Sequence, residues 1–166
     1  QERDLALGLA LRPDKDLPLS VMAEARGSRM GGNDVMRAGV MMVSEVPPLR
    51  LPLRFRGEVY GQAGLVSGAA GGAFVDAQLR LEHCLNCRSA AAVGRADLMA
   101  GAGLWGGAQP GVARLDGGPG LSLRLPVGSA AALRLDADWR FRLAGNAAPG
   151  SGLVATLSAG FWDAQP

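Results

Sequence analysis

Few residues in this chain have the type and spacing for chemistry. Cys84 and Cys87 form a Cys-x-x-Cys with His83 beside it, a spacing used by zinc sites and by thiol redox pairs. A closed zinc site needs four ligands, and the sequence holds two cysteines and one histidine. A thioredoxin-type pair sits in a βαβ pattern, which the flanking residues lack. The pair therefore reads as a possible disulfide or as two idle thiols. Ser44, Ser67 and Ser151 are available hydroxyls, but none lies in a nucleophile motif, and His83 is the sole imidazole. Asp136 and Asp138 are two carboxylates alternating with arginines, the pattern of an ion network rather than of a general acid and base. The expectation is a protein that is not an enzyme and carries no metal or cofactor.

The charged residues become informative through the elements that must carry them. From Leu49 the odd positions read Leu49, Leu51, Leu53, Phe55, Val59, Ala63 and Leu65, and the even ones Arg50, Pro52, Arg54, Arg56, Glu58, Tyr60 and Gln62. Successive strand side chains point to opposite faces, so such a ribbon has one apolar and one charged face. Ala131 to Leu143 repeats the pattern against Arg134, Asp136, Asp138, Arg140 and Arg142. Weaker copies run through Leu5–Leu11, Leu17–Ala25, Asp34–Val46, Val75–Leu81 (against Asp76, Arg80 and Glu82), Ala96–Leu104, Ala113–Leu125 (against Arg114, Asp116 and Arg124) and Leu153–Phe161. About nine strands result, each near the ~9–11 residues of a tilted membrane strand. Gly117-Gly118-Pro119-Gly120 predicts a bulge or kink within one of them.

Composition agrees with strands. Glycine contributes 25 of 166 residues, which disfavours long helices. No apolar run approaches a membrane helix. A net charge of +2 with 5% aromatics gives no basic, base-stacking surface, so nucleic acid is excluded as a partner. Lys15 is the only lysine; arginine suits enclosed ion networks, although a GC-rich genome produces the same bias. The chain starts at Gln1 without a charged leader or apolar h-region, as expected of a processed chain or of an excerpt.

The expected fold is all-β, an antiparallel up-and-down transmembrane β-barrel of which about 8–10 strands are visible. Residues 1–166 form either one barrel domain or the C-terminal part of a larger barrel. Tight links at Pro47-Pro48 and Gly128-Ser129 alternate with longer glycine-rich ones at 27–33, 67–72, 106–111 and 145–152, the outer-membrane habit of short periplasmic turns and longer external loops. Only 85–94 fits badly. Such barrels have even strand numbers. Nine is odd, so either 1–11 lies outside the strand set or more strands belong to the barrel. A soluble sandwich shares the alternation. Long strands, leucine- and alanine-rich apolar faces, and Tyr60, Trp105, Trp139, Phe141, Phe161 and Trp162 near segment ends as interfacial girdles favour the membrane. The charged face would then line a lumen: Arg50, Arg54, Arg56, Glu58, Asp76, Arg80, Glu82, Arg114, Asp116, Arg124, Arg134, Asp136, Asp138, Arg140 and Arg142. Paired, these charges plug a narrow bore; unpaired arginines in a wider one favour anionic or sugar-like solutes.

The stretch from Arg114 to Phe161 also carries a resemblance. Its Arg-Leu-Asp-Gly-Gly-Pro, Leu-Arg-Leu-Pro-Val-Gly, Asp-Trp-Arg-Phe-Arg-Leu-Ala-Gly-Asn-Ala-Ala-Pro-Gly-Ser-Gly and closing Leu-Ser-Ala-Gly-Phe resemble the C-terminal β-barrel of tetratricopeptide-containing outer-membrane proteins of alphaproteobacteria. Those are similar in layout to cellulose-synthase-operon export channels and phage-adsorption proteins. No tetratricopeptide repeat lies within these residues. The resemblance implies the bacterial outer membrane, the lipid bilayer and the barrel assembly machinery as partners, and polysaccharide export or surface reception as the role. Family barrels end on an aromatic residue, whereas Phe161 and Trp162 are followed here by Asp163-Ala164-Gln165-Pro166. Two functions stand open: a porin-like or exopolysaccharide-export channel, and a structural or receptor barrel with a plugged lumen and partner-binding outer loops.

Overall fold

The computed structural model describes residues 3–30, 33–68, 71–86, 96–127 and 131–161. Period-two sequence becomes strand throughout: β1 (Arg3–Leu11), β2 (Leu19–Met30), β3 (Asn33–Ser44), a two-residue β4 (Leu49–Arg50), β5 (Phe55–Val66), β6 (Gly72–Cys84), β7 (Asp97–Gln109), β8 (Val112–Val127), β9 (Ala131–Gly145) and β10 (Gly152–Phe161). The nine long strands lie in chain order in one antiparallel up-and-down sheet, with β4 attached to β5. They run 9 to 16 residues, well beyond the ~5–6 of an average strand. β1 belongs to this set, paired with β2 over its whole length.

Five local expectations change. The glycine-rich link expected over 27–33 is mostly strand, with β2 paired in register to β3 as far as Met30 and Asn33. The ribbon read from Leu49 to Leu65 is broken: a 3-10 turn spans Pro52–Arg54, and Leu53 and Arg54 take φ of 57° and 62°. Alternation carries no information about a reversal made by non-glycine residues in the left-handed region. The link at Pro47-Pro48 is accordingly longer than a tight turn, because it contains β4 and this reversal. The long loop expected over 106–111 is instead a two-residue hairpin, Pro110-Gly111, with Gly111 at φ 78°. Glycine followed by Pro-Gly supports both readings, since glycine is at home in a strand and in a turn. Finally, β8 runs through Gly117–Gly120 unbroken, and the register shift against β9 falls just before them, between Leu115 and Asp116. Gly128-Ser129 and most of the 85–94 connection lie outside the described residues.

The sheet does not close on itself over the described residues. In a meander of nine strands, the first and last run in the same direction. Edge-to-edge pairing of β1 with β10 would be a parallel ladder, and every pair in this sheet is antiparallel. The sheet is nevertheless strongly rolled. Hydrogen-bond register carries Glu58 on β5 to Arg80, Gly103 and Gly118 on the next three strands, and on to the level of Arg140 on β9. Yet Glu58 pairs with Arg134, at 2.7 Å, six residues further along β9. Four strand spacings are about 19 Å, and six strand residues a further ~20 Å, on a flat sheet. Only a tilted, curled sheet brings these two side chains together, so the charged face is concave.

The two faces are inverted relative to a water-soluble sheet. On the convex side Leu7, Leu9 and Leu157 are 71–80% exposed; on the concave side Glu82, Asp116, Asp136 and Asp138 are 5% or less. The largest fully buried side chains among the described residues are Asp116, Asp138 and Ser122.

Candidate functional site

The concave faces of β5, β6, β8 and β9 meet in one ion network. Arg80 sits at its centre. Its Nη1 and Nη2 donate to both oxygens of Asp138 at 3.1 and 3.0 Å, and Nη2 also reaches Glu82 Oε1 at 3.1 Å and Asp136 at 3.3 Å. Arg134 is the second hub. Nη1 donates to Glu58 Oε1 and Oε2 at 2.7 and 2.8 Å, Nη2 to both oxygens of Glu82 at 3.1 Å, and Nε to Asp136 Oδ1 at 2.9 Å. The guanidinium fork suits such bidentate pairing. Arg56 joins at Glu58, 3.3 Å away, and Arg140 at Asp138, 3.7 Å away. Four arginines thus face four carboxylates, and the cluster is formally neutral.

Ser122 links the hubs. Its hydroxyl accepts from Arg80 Nη2 and Arg134 Nη2, both at 3.2 Å, and lies against Glu82 Oε1 and Asp136 Oδ1. One proton and two lone pairs match that surrounding: two guanidinium donors in, one carboxylate out. Its position was readable, because even residues of β8 share a face with Asp116 and Arg124. A serine in an apolar-polar alternation carries no mark of being central.

Trp105 is a correction. As an interfacial aromatic it would face outward, but odd positions of β7 share a face with Asp97, and the indole is 7% exposed on the concave side. Its ring lies 4.2 Å from the Arg140 guanidinium carbon and 5.8 Å from that of Arg80, a cation–π stack that lids the network. Gly103 makes room for it; a Cβ there would sit 2.5 Å from the indole. Gly120 plays the same part for the central pair, since a Cβ would fall 2.2 Å from Asp138 Oδ1. Tyr60, on the same face as Glu58, is likewise not an outward girdle residue. Trp139 and Phe141 do face outward, half exposed, with ring centroids 6.3 Å apart. The Phe161 side chain and Trp162 lie outside the described residues.

The remaining charged positions occupy the periphery. Arg114 pairs with Asp116, itself buried. Asp76 accepts from Gln62 Nε2 at 3.4 Å at one end of the concave face. Arg124 stands in register between Asp97 and Arg134. Arg142 is directed to the β9–β10 connection. Arg50 and Arg54, in the broken segment, are exposed and contribute no bond to the network.

The residues first considered for chemistry have structural partners. Ser44, Ser67 and Ser151 each accept a backbone N–H, from Gly61, Ala38 and Arg142, at 2.7–2.8 Å. His83 packs edge-on against Phe55, centroids 5.0 Å apart, on the convex face. Alternation sends the adjacent Cys84 to the other face, where it is buried and disulfide-bonded; Cys87 lies outside the described residues.

No family model, curated protein or solved structure matches this chain.

Proposed function

We propose that this chain is a wall of a transmembrane β-barrel of the bacterial outer-membrane type, its convex leucine face against lipid and its ion network filling the interior. The observation that carries this reading is the inversion of faces. Burying a leucine is worth about 1.5–3 kcal/mol. Leaving Leu5, Leu7, Leu9, Leu65, Leu153 and Leu157, each more than 60% exposed, in water while burying carboxylates would forfeit free energy on the scale of a domain's whole stability, about 5–15 kcal/mol. In hydrocarbon the same arrangement is favourable, and strands closed into a barrel, with further strands bridging the two edges of this sheet, are one of only two ways to satisfy the backbone there.

Of the two roles open to such a barrel, the geometry favours the plugged one, structural or receptor-like. Arg134 reaches across the roll to Glu58, and four arginines satisfy four carboxylates with the Trp105 ring laid over them, which leaves the middle of the concave face obstructed. A porin-like or polysaccharide-exporting channel needs an unobstructed bore. Partner recognition would then fall to the connections between strands. Planar-bilayer recording separates the two. The plugged reading gives no stable current above baseline from the folded, inserted protein, and a steady open-state conductance would return the assignment to an export or porin-type channel.

A further inference from the structure

We propose that residues 146–151, the connection from β9 to β10, form a clamped strap over one end of the concave face, with Arg142 as its two-position latch. The clamp begins at Asn146. Its backbone N–H donates to Ala113 O, its Oδ1 accepts from Ala113 N, and its Nδ2 donates to Gly111 O, each at 2.9 Å. Ala147 N adds a bond to Ala113 O at 3.2 Å. The entry requires glycine: Gly145 has φ 104°, and a Cβ there would lie 2.2 Å from Ala113 O. At the far end two guanidiniums grip carbonyls. Arg114 donates to Pro149 O at 3.0 Å and to Gly150 O at 3.4 Å, and Arg142 Nη2 donates to Pro149 O. Beside the strap lies an open cavity of about 300 Å³, walled by Ala147 together with Phe74, Val75, Val112, Asp76 and Arg114.

The latch follows from two unspent atoms. Arg142 Nε and Asp116 Oδ1 are both buried without a partner, and the two residues stand opposite each other in register. Unsatisfied buried groups are costly, the more so when charged. With the strap down, Arg142 holds Pro149 O. With it lifted, the same guanidinium turns onto Asp116 Oδ1, exchanging a carbonyl for a carboxylate while Arg114 keeps the other oxygen. Opening is therefore compensated in part, since Arg114 gives up its bonds to Pro149 O and Gly150 O, and it withdraws Ala147 from one wall of a mainly apolar cavity.

Hydrogen exchange in detergent micelles tests this. Asn146→Ala removes two anchoring bonds and should speed exchange of the Asn146 and Ala147 amides, the two strap N–H groups bonded to Ala113 O, about tenfold or more, with β9 protection unchanged. No acceleration, or loosening that spreads through β9, overturns the strap. Arg142→Ala should also speed strap exchange, whereas Asp116→Asn, which weakens the lifted position, should slow it. A purely structural network would loosen in both, so faster or unchanged exchange in Asp116→Asn overturns the latch. The strap rests on the roll rather than on lipid. If the protein folds in buffer alone, the membrane proposal fails and the same exchange still reads the strap.

Discussion

Arg80 and Arg134 show how much of this protein's stability depends on single side chains. Removing one partner of a buried ion pair leaves the other uncompensated, at about 3–5 kcal/mol. Arg80→Ala leaves Asp138 with Arg140 alone, 3.7 Å away, and Glu82 and Asp136 to share Arg134, so equilibrium urea unfolding in micelles should show a loss of about that size. Arg26→Ala, which removes an exposed pair with Glu24 at 3.0 Å, should cost under about 1 kcal/mol. Comparable losses at the two sites would mean that the network is solvated rather than enclosed. Gly120→Ala tests the close approach at Asp138. One methyl forced into that contact should cost about 1–3 kcal/mol, the usual penalty for overpacking, and a neutral result would show that the central pair has slack.

β9 carries both halves of the account on alternate residues. Leu135→Arg places a charge on the convex face and should cost about 2–4 kcal/mol near a bilayer midplane. From the sequence, Arg134→Leu looks the milder change if its partners can rearrange. The structure reverses that expectation, because Arg134 serves Glu58, Glu82 and Asp136 at once. Its loss should cost about 3–5 kcal/mol. Unfolding free energies of the two variants read this directly, and tolerance at either position argues against its assigned face. The alternation that assigns those faces was legible at once, since period two is local. The count of nine long strands came from the same signal. What escaped were features set by distant residues or by backbone freedom. Glu58 and Arg134 meet only because tilt and curl bring strands four places apart together, and no spacing encodes that. Leu53 and Arg54 reverse the chain without glycine. Gly106 and Gly107 looked like loop and are strand. Trp105 faces inward for a simpler reason: it shares odd parity with Asp97 on β7, and parity outranks aromatic type in deciding a strand residue's face.

At the scale of the whole molecule the sheet is a rolled, open wall, apolar outside and charge-balanced within. Its two free edges run in the same direction, so antiparallel closure takes an odd number of further strands between them. The inversion of faces is the central claim, and two tryptophans report on its opposite sides. Single-tryptophan variants keeping Trp139 or Trp105, folded into vesicles containing a lipid-attached quencher at mid-acyl depth, test it most directly. Trp139 should be strongly quenched and shielded from aqueous iodide, while Trp105 should respond weakly to both. A folded monomer that needs no lipid, with Trp139 quenched by iodide and untouched by the lipid probe, would contradict the account.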